Sequence, residues 1–260
     1  MKILIYILLG AIAGIIAVPL SKLWKGEKKT WSVLFFIIMG LFTLLAKFYL
    51  IPQYEIWDIK REIVEIPVYK LISETDPQTF NLIIDDFYNF HKKNKNYRQL
   101  NLATKQNLEM VLAKYAPITS NRSINEYVEI LLRELKVLNR KDSKLCFGFL
   151  FPKEFGPIKA TKYFDKSLQE EDLNALAKVI RDALNTPQEP PNPQESDRLF
   201  QELADQMYRA WGKDTQILEG PPFAGAGPKK VCDIYIDMIE TILKLPPEKR
   251  SVVLRSFFSL

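Results

Sequence analysis

Apolar residues are distributed along this chain in two different ways. In residues 3–20 (ILIYILLGAIAGIIAVPL) and 31–46 (WSVLFFIIMGLFTLLA) they are continuous, with no charge in either run. The second run continues past Lys47 through Phe48, Tyr49, Leu50 and Ile51. From residue 52 onward they recur at spacings of three and four among charges, the signature of amphipathic helices. A bilayer core takes roughly 20 apolar residues as helix, so spans are predicted over about 3–20 and 31–51. Only residues 21–30 separate them, which makes the two spans antiparallel neighbours. The predicted fold class is all-α: a two-helix N-terminal transmembrane hairpin followed by a multi-helix soluble domain.

The edges of the hairpin carry interface residues. Trp24 and Trp31 bracket the linker, while Tyr49, Tyr54 and Trp57 lie at the opposite end, as in an aromatic belt. Lys47 stands near the end of its span, where its long side chain can reach the headgroups. Gly10 and Gly14 stand four apart beside Ala13 and Ala17, a small-residue face suited to close helix packing. That face serves either the second span or another copy. A cleavable signal peptide with a site at Ala11–Ala13 is the competing reading of the first span. The apolar run, however, continues well past that site.

Beyond the hairpin, residues 52–75 read as a juxtamembrane stalk ended by Pro67. Residues 76–185 form the first part of the helical domain, opened by Asp76 as N-cap and Pro77 in the first turn. Stripes follow at Phe80, Ile83, Ile84 and Phe87, then at Leu108, Val111, Leu112 and Tyr115. Ser123–Glu126 and Ser167–Glu170 match capping boxes, each preceding another apolar stripe. Residues 186–195 (TPQEPPNPQE) are a Pro-rich linker. Residues 196–260 supply C-terminal helices that pack on the first part, the first of them capped by Ser196. Residues 145–151 (LCFGFLF) are too short to assign by period.

Charge changes the picture at one point. The formal net charge is +5 over 260 residues, with 36 basic and 31 acidic side chains. Residues 1–51 hold Lys2, Lys22, Lys25, Lys28, Lys29 and Lys47 against Glu27, so the whole excess lies in the hairpin. The remainder is formally neutral, which argues against nucleic-acid binding, since that binding needs a basic surface. Four lysines in the short linker favour its placement in the cytoplasm. The chain is then an integral protein of a bacterial inner membrane with its soluble domain periplasmic. Lys2, Lys47, Lys60 and Arg61 on the other side keep a cytoplasmic domain as the alternative.

Candidate chemistry is sparse. His91 is the only histidine, so any triad depends on one ring, and no metal-ligand spacing occurs. Cys146 and Cys232 are the only cysteines and lie 86 positions apart. They are either buried thiols or one disulfide, and a disulfide requires an oxidising compartment. The segment 220–230 (GPPFAGAGPKK) precedes a helix without a Walker pattern. Its Gly220, Phe223, Gly225, Gly227, Lys229 and Lys230 make it the candidate partner loop. Asp85–Asp86 and Glu170–Asp172 read as solvated or dipole-aligned acids. No cofactor, metal or catalytic residue is indicated. The expected role is a membrane-anchored, non-enzymatic interaction or assembly subunit of a cell-envelope complex, its partners the bilayer and other protein subunits. The alternative is a membrane-bound enzyme acting on a lipid or envelope substrate.

Overall fold

Proline sets the phase of this fold. In a computed structural model that describes residues 28–93, 97–156, 158–221, 223 and 225–258, six helices begin on a proline. At the first helical position its missing N–H costs nothing and its fixed φ suits the helix. Among the described residues every regular element is helical, and none is a strand. The chain divides into two compact units, residues 1–62 and 63–260.

In the first unit, α1 (Lys28–Leu45) passes through a π-helical turn (Ala46–Leu50) into α2 (Ile51–Ile63). Pro52 accounts for the wide turn. A helix-interior proline has no donor and its ring collides with the carbonyl four residues back. Here the Ile51 N–H reaches the Ala46 carbonyl five residues back, so the helical ladder loosens just before the proline. The stretch Ile37–Ile63 is long and apolar enough to cross a membrane, and is the one such helix among the described residues. The predicted first span, with Gly10 and Gly14, and Trp24 of the linker lie outside the described residues. Residues 52–63, read from the sequence as stalk, continue the helix without a break.

The second unit contains α3 (Pro67–Thr75), α4 (Pro77–Lys93), α5 (Tyr97–Tyr115), α6 (Asn121–Lys141), α7 (Ser143–Leu150) and the short α8 (Pro152–Phe155). It continues with α9 (Lys166–Asn185), α10 (Pro193–Trp211), α11 (Pro228–Leu243) and α12 (Pro247–Phe257). A 3₁₀ segment at Ala116–Ile118 links α5 to α6, and another at Gly212–Glu219 follows α10. Pro67 opens α3 rather than closing a stalk, and α3 buries Val68, Tyr69 and Ile72 in this unit's core. Helix α6 is central: it packs against α7, α9, α11 and α12, with Ile124, Leu135 and Leu138 fully buried.

Three helices start earlier than the serines read as their caps predict. Ser120, not Ser123, caps α6, its Oγ accepting from the Ser123 N–H at 3.2 Å. Asp165, not Ser167, caps α9, accepting from the Leu168 N–H at 2.8 Å. Asn192, not Ser196, caps α10, with Pro193 in the first turn. In each case a second capping residue lies two to four positions upstream. The displaced serine then falls inside the first turn, where its hydroxyl makes other contacts. Ser123 and Ser120 both donate to Asp182 of α9, the latter at 2.6 Å. Ser196 meets the Ser256 hydroxyl of α12 at 2.7 Å.

The proline-rich stretch lies fixed along the domain. The buried Arg255 guanidinium donates to the Pro117 carbonyl at 2.9 and 2.6 Å and to the Glu189 carbonyl. The Gln188 N–H adds a bond to the Ile118 carbonyl at 2.8 Å. Prolines cannot donate to a ladder, so the carbonyls of this segment are held by a side chain and the ordering comes from α12.

Truncating the core of α6 tests this arrangement. Leu135→Ala is expected to destabilise the full chain in detergent by about 2–5 kcal/mol. Leu82→Ala, at a residue 57% exposed, should change stability by less than about 0.5 kcal/mol. Chemical denaturation followed by circular dichroism measures both.

Candidate interaction groove

The C-terminal half of α6, the end of α10 and the middle of α11 border a groove of about 560 Å³. Helical spacing builds its walls. Lys136 and Arg140 stand four apart on α6. Asp233, Asp237 and Glu240 form a one-sided stripe on α11. Trp211 closes the end where α10 stops, the chain turning away through Gly212 at φ 57°.

Hydrogen bonds hold these side chains in place. The half-buried Trp211 donates its indole N–H to Asp237 Oδ2 at 2.7 Å. Lys136 Nζ pairs with Glu240 Oε1 at 2.5 Å. Asn139 Nδ2 and Lys229 Nζ donate to the two oxygens of Asp233 at 2.9 and 2.7 Å. Arg140 is exposed and has no ion-pair partner among the described residues. Sequence reasoning missed this groove because each wall, taken alone, is the polar side of an amphipathic helix. Only packing brings the two charged stripes and the tryptophan together.

The described residues of the predicted loop make contacts within the chain. Phe223 is buried, in edge-on contact with Phe147 and Phe151 at centroid distances of 5.3 and 4.5 Å. Gly220 and Gly225 adopt φ of 94° and 77°, which favour glycine, and Gly227 is the residue before α11. Lys230 pairs with Asp214 at 3.0 Å and Lys229 with Asp233. Both lysines are therefore engaged within the chain.

Cys146 on α7 and Cys232 on α11 are brought together as a disulfide, their Cα atoms 6.2 Å apart and both side chains fully buried. The bond lies between helices that also share an aromatic cluster of Phe147, Phe151, Phe155, Phe223 and Tyr235. Gly148 belongs to this packing: a Cβ there would stand 2.8 Å from Ile158 Cγ2 and Phe155 Cδ1.

The acidic residues divide by environment. Asp85 and Asp86 are exposed on α4, and Glu171 pairs with Arg133. Asp172, expected on the polar face, instead faces inward with Glu134 of α6 in the α6–α9 seam. Glu134 is 4% exposed. Burial, and then the nearby Asp172 charge, hold its carboxyl well above the usual carboxylate range, against a smaller opposing pull from Arg133. Burial raises Asp172 too. Burial and both acids push the Tyr127 hydroxyl up in turn. Near α5, burial raises Asp76, but hydrogen bonds from Lys114, Thr79 and Tyr115 outweigh it and lower the carboxyl.

In the first unit, Lys47 and Tyr49 are exposed in the π turn. Trp57 of α2 is 53% exposed, with Arg61 over its ring at 5.0 Å and Tyr54 beside it at 6.0 Å. Trp31 lies in α1, and His91 in α4, their side chains outside the described ones. The chain matches no family model, no curated protein and no solved structure.

Two predictions follow from these interior groups. Because Glu134 binds its proton more tightly folded than unfolded, folding stability is fully present below the ordinary carboxylate pKa. It declines as pH rises through the raised native value. Glu134→Gln should flatten that decline and raise stability at alkaline pH; parallel melting profiles for both proteins between about pH 5 and pH 9 would rule this out. Replacing Cys146 and Cys232 by serine should cost roughly 2–5 kcal/mol, read from denaturation under non-reducing conditions.

Proposed function

We propose that this chain is a membrane-tethered, non-enzymatic subunit of a cell-envelope assembly. The observation that carries the reading is the outward-facing apolar side of α1 and the π turn. Ile37, Leu41, Leu44, Leu45 and Phe48 are each more than half exposed, Phe48 by 72%. Large contiguous apolar surface of this kind belongs in lipid or against protein. The hairpin reading pairs this helix with residues 3–20 as a second span and sets Lys47, Tyr49 and Trp57 at one membrane face.

The Cys146–Cys232 disulfide supports an oxidising environment for the domain, as in a periplasm, because cytosolic thiols are kept reduced. This agrees with the lysine-dense linker lying in the cytoplasm. The interaction role is supported by the groove beside Trp211. The enzymatic alternative has less support, because the two carboxylates with raised proton affinity are in the α6–α9 seam and not along that groove.

Membrane fractionation with thiol mapping tests the reading. The chain should stay in the membrane pellet through alkaline carbonate. Cys146 and Cys232 should resist alkylation in intact cells until a reductant is added. Release into the supernatant, or two free thiols, would overturn the anchoring or the placement respectively. Cross-linking before detergent purification should give a larger complex, and a monomer alone would overturn the assembly role.

A further inference from the structure

The seam between α6 and α9 contains two acids and no cation of its own. Glu134 of α6 is buried and Asp172 of α9 is half-buried beside it. Neither carboxylate has a hydrogen bond or ion pair among the described residues. The groups that act on them are few. Arg133, the one cation acting on Glu134, already pairs with Glu171. Tyr127, two turns before Glu134, is buried near both acids, its ring edge-on to Phe258 at 5.9 Å. Helices α7, α11 and α12 also pack on α6, and α3 and α5 on α9. None of their described charged groups acts on either carboxylate. Two carboxylates that share a low-dielectric seam without a cation do not both ionise near neutral pH, so the pair keeps a proton. Burial of each acid acts in the same direction.

The ties that hold α9 are unevenly placed. Of its seven buried residues only Leu168 precedes Ala175. Beyond that point Thr119 Oγ1 donates to the Val179 carbonyl at 2.8 Å, Ser120 and Ser123 donate to Asp182, and Lys178 pairs with Glu126 at 2.5 Å. Before it, the polar tie from α9 to α6 among the described residues is Arg133–Glu171, a solvent-exposed pair and so a weak one. We propose that the first two turns of α9, residues 166–173, are a latch on α6 that opens when the Glu134–Asp172 pair loses its last proton, while residues 175–185 stay docked. Two negative charges then stand in the seam, and hydrating them requires one helix to leave. Helix α9 leaves at its weakly held end. The sign follows from the pair's raised proton affinity: the latch is shut below the ordinary carboxylate range and is released as pH rises through the native titration. Release uncovers Tyr127 and Leu168, so proton loss is coupled to exposure of an apolar face.

Hydrogen exchange of the full chain in detergent micelles tests the latch. Mass spectrometry follows it between about pH 6 and pH 9, with exchange times scaled to the intrinsic rate. Two helical turns without a packed face do not hold their own hydrogen bonds, so lifting them opens their amides to exchange. Protection of residues 170–173 should fall about tenfold per pH unit once the last proton is leaving, as for an opening linked to one proton. Protection of residues 175–185 should stay level. Glu134→Gln and Asp172→Asn should each abolish the pH dependence, and Tyr127→Phe, which keeps the ring, should leave it intact. If an acid variant fails to fold, the contrast between the two ends of α9 in the unaltered chain still decides. Equal loss of protection over the whole of α9 would mean unfolding of the domain and would overturn the latch, although the alkaline loss of stability given above would stand. Level protection at every pH, or a pH dependence that survives both acid variants, would also overturn it.

Discussion

The buried surface of α6 is too wide for any single neighbour. Nine of its residues are buried, and α7, α9, α11 and α12 are all needed to cover them. Everything that distinguishes the domain lies along one of those contacts. The seam with α9 encloses Glu134, which keeps its proton because water has been replaced on that side. The edge shared with α11 forms one wall of the groove. The turn from α6 into α7 delivers Cys146 to Cys232. A helix covered on this many sides ties distant parts of the sequence to one core.

The all-helical nature of the domain was legible from spacing alone. Stripes such as Phe80, Ile83, Ile84 and Phe87 do become buried faces, because burying an amphipathic helix needs no knowledge of its partner. Helix starts were less legible, since local signals compete. Ser123, Ser167 and Ser196 each satisfy a capping pattern, yet Ser120, Asp165 and Asn192 upstream take the role. Pro67 shows the same ambiguity: a proline can end one element or begin the next, and the local sequence does not distinguish them.

The groove was not legible, for a different reason. Lys136, Arg140, Asp233, Asp237 and Glu240 have the spacing of any solvated helix face, and Trp211 reads as a core residue at a helix end. Their common location is a tertiary fact. The proton-holding acid pair was hidden likewise, because Asp172 occupies the third place of an acidic triplet whose other members face water. The two cysteines were legible only as buried thiols or one disulfide, and the packing of α7 against α11 is what brings them together.

The wide turn at Ala46–Leu50 has a consequence for the first unit. One extra residue in a helical turn advances everything beyond it by about 100° around the axis and about 1.5 Å along it. A wheel drawn straight through residues 31–63 therefore puts Tyr54, Trp57 and Arg61 on the wrong azimuth relative to Leu41 and Leu44. The turn acts as a phase shifter. It lets the exposed apolar stripe of α1 and the aromatic stripe of α2 be oriented independently, although both belong to one unbroken helical run.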